Sequence, residues 1–68
     1  MRIQMFGQYL TPSAAVARIF QTMGRNRGED AIAAHGARMI ASGHQSLADA
    51  LFEAAARHPA YSAFGRQQ

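Results

Sequence analysis

The chain has no cysteine, no lysine, only two prolines and no long apolar run. Without cysteine there are no disulfides and no thiolate–metal sites, and the redox compartment is not indicated. No stretch approaches the roughly 18 consecutive apolar residues of a membrane-spanning helix. Met1 to Leu10 carries one early arginine but neither a long apolar segment nor a small-residue cleavage site, so it does not read as a secretory signal. A soluble, cytoplasmic protein with no membrane partner is expected. Because lysine is absent, all seven cations are arginine, set against four acidic residues for a formal net charge of +3. Guanidinium groups grip carboxylate and phosphate with two donors at once. A coding bias towards arginine explains the same composition and also the abundance of alanine, and it weighs more. A modest charge excess speaks to solubility and association before function.

What is present suffices for one small domain over residues 1–68. A chain of 68 residues buries only about 60% of the surface that its unfolded form exposes, so reinforcement by helix packing or oligomerisation is expected. There are four isoleucines, three leucines, four phenylalanines and two tyrosines to build a core.

Three helix-sized segments are fenced by start and stop residues. Thr11 suits an N-cap and Pro12 the first helical position of a helix over about 12–23, which Gly24 closes. Val16, Ile19, Phe20 and Met23 fall on one face of it. Asn26 and Glu29 have capping-box spacing for a second helix over about 27–42, closed by Gly43. Ile32, Met39 and Ile40 share a face with Gly36, and Ala34, Ala37 and Ala41 form a small opposite face. Gly36 marks a close helix crossing, either across a dimer axis or inside one bundle. Ser46 with Asp49 opens a third helix over about 46–58, in which Glu53 and Arg57 stand four apart in the favourable order. His58 precedes Pro59 and is pushed away from helical geometry. Residues 1–10 read as a helical turn or an extended arm, because a lone strand has no partner. The expected architecture is all-α: a small three-helix bundle with an N-terminal arm and a short C-terminal turn. Ile19, Phe20, Ile40 and Leu51 are its expected core.

Chemistry is scarce. His35, His44 and His58 are nine and fourteen residues apart, far from the i, i+4 spacing of a helical metal site, so no metal and no cofactor is expected. No serine stands in a nucleophile elbow. Asp49 and Glu53 share a helical face, but capping and amphipathic patterning already account for them. A helix-turn-helix centred on Gly43 places Asp49 where an aliphatic residue belongs, and it turns Asp49 and Glu53 towards phosphates that would repel them. No catalytic residue is assigned, and no segment carries a motif specific enough to transfer function.

Contact is what remains. Arg25 and Arg27, on a glycine-flanked turn beside a helix start, suit an acidic protein surface or a phosphate; an ordinary solvated loop, with both paired to Glu29 and Asp30, explains them too and weighs more. Tyr61 and Phe64 are either a lid over the core or an aromatic anchor for a partner. The expected function is that of a non-enzymatic interaction protein, an adaptor or inhibitor that occupies a surface of a larger macromolecule, most often another protein. It is expected to act as a homodimer through Ala34, Ala37 and Ala41. A small arginine-rich nucleic-acid-binding protein is the alternative.

Overall fold

The chain reverses direction at Phe6 and Gly7, both at positive φ (55° and 73°). Positive φ at both central positions is the requirement of a type I′ turn, whose twist matches two antiparallel strands. The structure, a computed structural model describing residues 2–60, therefore begins with a β-hairpin. Strand β1 (Ile3–Met5) pairs with strand β2 (Gln8–Leu10), aligning Ile3 with Leu10, Gln4 with Tyr9 and Met5 with Gln8. Two strands alone are marginal in water. This pair is anchored because Ile3 is buried in the helical core, with Met5 and Leu10 packed at its edge.

Helix α1 (Pro12–Ala41) starts as its sequence dictates: the Thr11 hydroxyl accepts a hydrogen bond from the Ala14 N–H at 3.2 Å, and Pro12 occupies the first turn. The apolar stripe Ala15, Val16, Ile19 and Phe20 is buried. Gly24 then takes φ 78°, ψ 171°, a backbone region open essentially to glycine alone. The helix kinks there. Beyond the kink, the Phe20 ring packs on Gly28, so close that a Cβ on Gly28 would sit 2.5 Å from Phe20 Cδ1. The second half buries Ile32, Gly36 and Met39. It ends in a Schellman motif around Gly43 (φ 85°), where the Gly43 N–H donates to the Ile40 carbonyl at 3.0 Å and the His44 N–H to the Met39 carbonyl at 2.8 Å.

Helix α2 (Gln45–Arg57) returns along α1 and buries Ala48, Leu51 and Ala55. Its Phe52 ring rests over Gly36, where any Cβ would collide with it. The close approach marked by Gly36 is thus an internal crossing made by the chain's own Phe52. Glu53 and Arg57 pair at 2.8 Å on the exposed side. His58 turns extended (φ −69°, ψ 137°) ahead of Pro59, and its ring meets Phe20 at 5.0 Å between centroids.

Four expectations are corrected. The fold is not an all-α three-helix bundle but a β-hairpin followed by two helices, largely helical, because the missing strand partner is supplied by residues 8–10 and because Gly24 puts a single non-helical residue, a kink and not a loop, between the two halves of α1. Asn26 lies inside α1 and caps nothing. Ser46 lies inside α2, whose N-cap is His44 without a side-chain bond; Asp49 instead accepts from Gln45 Nε2 at 3.0 Å. Ile40 is exposed, and Met39 fills the core position next to it. The short C-terminal turn expected near the end of the chain lies beyond the described residues.

Candidate functional site

The hairpin does not close fully over α1. At 100° per residue, positions 31, 34, 35 and 38 fall on one stripe of α1, between the face buried against α2 and the face turned to solvent. Between that stripe and the hairpin runs a trough made of two adjoining cavities, of about 490 and about 360 Å³. Gln4, His35 and Arg38 line both and form the sill between them.

One end is apolar. Met5, Phe6, Ile19, Met23, Ala31 and Ala34 line it. Phe6 at 50% and Met23 at 44% are among the most exposed large hydrophobic side chains of the described residues. Phe6 projects because the turn forces it there, and Arg18 stacks over its ring at 6.0 Å. Met23 stands directly before the kink at Gly24.

The other end is cationic and polar. Arg2, Tyr9, Ser42 and His44 join the sill residues there over a floor of Ile3, Met39 and Leu47, and no acidic residue lines either cavity. Arg38 Nη2 donates to His35 Nδ1 at 3.2 Å. A guanidinium can only donate, so Nδ1 accepts and the imidazole proton sits on Nε2. That Nε2–H is shielded from solvent and has no acceptor among the described residues. Burial first, and the neighbouring Arg38 charge second, hold the His35 pKa below its ordinary 6.5. The trough therefore offers guanidinium groups, a half-buried imidazole and an apolar wall. This suits recognition of a group that carries both apolar surface and negative charge.

The residues singled out from sequence are dispersed around this trough. Arg25 and Arg27 are exposed at the kink, inside α1 and not on a free turn. They follow Met23 closely in the chain. Ala34, Ala37 and Ala41 are all exposed, with Ala34 at the trough's edge. Tyr61 and Phe64 lie outside the described residues. His35, His44 and His58 are not gathered, and among the described residues no three His, Asp or Glu side chains cluster as metal ligands. Of the described helices, none is long and apolar enough to cross a membrane. Sequence reasoning missed Phe6, Met23, His35 and Arg38 as a group, since the hairpin that unites them was itself missed. The one available signal was Phe6-Gly7, a bulky apolar residue at a turn.

Comparison with protein-family models, with curated proteins and with solved structures gave no match.

Proposed function

We propose that this is a non-enzymatic interaction protein of the cytoplasm, an adaptor or inhibitor that docks a segment of a larger protein in the trough between the hairpin and α1. The observation that carries this reading is the pairing of two half-exposed hydrophobic side chains, Phe6 and Met23, on the rim of one apolar cavity. Large apolar groups held together at a groove mouth are what a partner's buried anchors require. Arg25 and Arg27, exposed just beyond Met23, would meet the partner's rim, where charges set on-rate and orientation more than stability. Association through the exposed alanine face of α1 belongs to the same reading, with two copies presenting two troughs.

The experiment is affinity capture of the tagged protein from its native cell, with and without nuclease. It is run beside Phe6→Ser/Met23→Ser and Arg25→Ala/Arg27→Ala. A protein retained despite nuclease, lost by the first variant and weakened at least tenfold by the second supports the reading. Retention that vanishes with nuclease supports the nucleic-acid alternative, and equal retention by both variants overturns the trough as the docking surface.

A further inference from the structure

We propose that the cationic end of the trough is a carboxylate subsite, so that the segment docked there is an acidic one: an apolar side chain lies against Phe6 and Met23, and a glutamate or aspartate within a few residues of it reaches Arg38, His35 and Arg2. This rests on the docking reading above and names the chemistry of the partner.

Three observations converge on it. The first is charge complementarity. Two arginines and two histidines line one cavity of about 360 Å³ with no carboxylate among its lining residues, while the chain's own acidic residues Glu29, Asp30, Asp49 and Glu53 are placed elsewhere. Glu53 is already paired with Arg57, and Asp49 already accepts from Gln45. The second is an unfilled donor. Among the described residues His35 Nε2–H has no acceptor; the half-buried ring lines both cavities, and when it turns towards the trough a ligand oxygen satisfies a donor that is costly to leave unpaired. The third is continuity. Gln4, His35 and Arg38 line both cavities, so an apolar group at one end and an anion at the other belong to one short extended stretch. A guanidinium already oriented by its bond to His35 Nδ1 loses less freedom when it closes on a carboxylate.

The choice of carboxylate over phosphate follows from the apolar half. A nucleic-acid strand presents a phosphate at every nucleotide and would need cations along the whole trough, whereas Met5, Phe6, Ile19 and Met23 offer half of it to hydrocarbon.

The test uses the full-length isotope-labelled protein and two soluble probes, acetyl-Leu-Leu-Glu-amide and acetyl-Leu-Leu-Gln-amide, followed by amide chemical shifts. The glutamate probe should shift Gln4, His35, Arg38 and His44 saturably and bind at least tenfold more tightly than the glutamine probe. Arg38→Gln, and separately Arg2→Gln in case the first change disturbs His35, should erase that preference without loss of spectral dispersion. Equal affinity for the two probes, no saturation at millimolar concentration, or shifts confined to other faces would overturn the subsite. So would inorganic phosphate that displaces the glutamate probe at equal concentration. Failure here is separable from failure of the docking reading: if capture is lost by Phe6→Ser/Met23→Ser while the two probes bind alike, the trough is a docking site without a carboxylate pocket.

Discussion

Leu51 is 0% exposed and Ile40 is 44% exposed, although both are aliphatic residues on helices. Leu51→Ala should cost about 2–5 kcal/mol, because it removes a side chain enclosed on all sides and leaves a cavity. Ile40→Ala should cost less than about 1 kcal/mol, since much of its surface is already in water. Urea unfolding of both variants checks the contrast, and equal losses would contradict the burial assigned to them. The sequence left Met39 and Ile40 indistinguishable: neighbours on a helix differ by only 100°, and which one meets α2 depends on Phe52 settling over Gly36. His35 gives a second residue-scale prediction. Its pKa is held below 6.5 by burial and by Arg38, so below about pH 6.5 the unfolded chain takes up a proton that the folded one resists. The stability associated with neutral His35 is complete above that pH and is lost as pH falls towards the lowered folded value. Arg2, Tyr9 and His44 line the same cavity and share its field. Melting temperatures measured from about pH 7.5 down to about pH 5 should fall more steeply for the wild type than for His35→Gln; identical slopes would show that His35 is not held neutral by the fold.

At the scale of elements, the kink in α1 is the feature on which the trough depends. Gly24 sits at φ 78°, ψ 171° with open space around it, so a Cβ there would clash with nothing. Gly24→Ala should still destabilise by about 1–3 kcal/mol, through backbone strain alone. If it instead stabilises, as alanine does in an ordinary helix interior, the kink is not the native conformation. The solvent face of α1 supports a further prediction. Ala34, Ala37 and Ala41 are exposed there within an arc of about 60°, and small residues allow two helices to approach closely. Light scattering after size exclusion should give twice the monomer mass at micromolar concentration, and Ala37→Glu should restore the monomer without lowering the intrinsic stability of the fold. A wild type that is monomeric throughout would end the homodimer proposal. The element ends show what a sequence can carry. The Thr11 cap, Pro12, the Gly43 terminus, the Glu53–Arg57 pair and the extended residue before Pro59 were all readable, because each is a local device whose partners are five residues apart or fewer. The hairpin was not readable. Its turn places Phe6 at positive φ, where asparagine, aspartate or glycine is the usual signal. The capping boxes at Asn26 and Ser46 were readable but misleading: Asn26 lies inside α1, and Ser46 lies inside α2, whose N-cap His44 makes no side-chain bond.

At the scale of the molecule, the trough joins residues 2–9 to residues 19–47, and no local pattern announces such a meeting. Arg2 and Arg38 were two among seven arginines in the sequence, and only the hairpin folding against α1 sets them around one cavity without an acidic neighbour. The same packing leaves Phe6 and Met23 half-exposed on one rim. In a chain of this size that apolar surface is withheld from a core short of it. The account stands or falls on whether a protein partner occupies that rim. A photo-reactive phenylalanine analogue placed at position 6, irradiated in the native cell, measures this most directly, with the same analogue at position 53 on the exposed side of α2 as the control. A partner on that rim should give a discrete adduct to a polypeptide from position 6, none from position 53, and loss of the adduct when Met23 is changed to Ser. Adducts from both positions alike, or from position 6 to nucleic acid only, would contradict it.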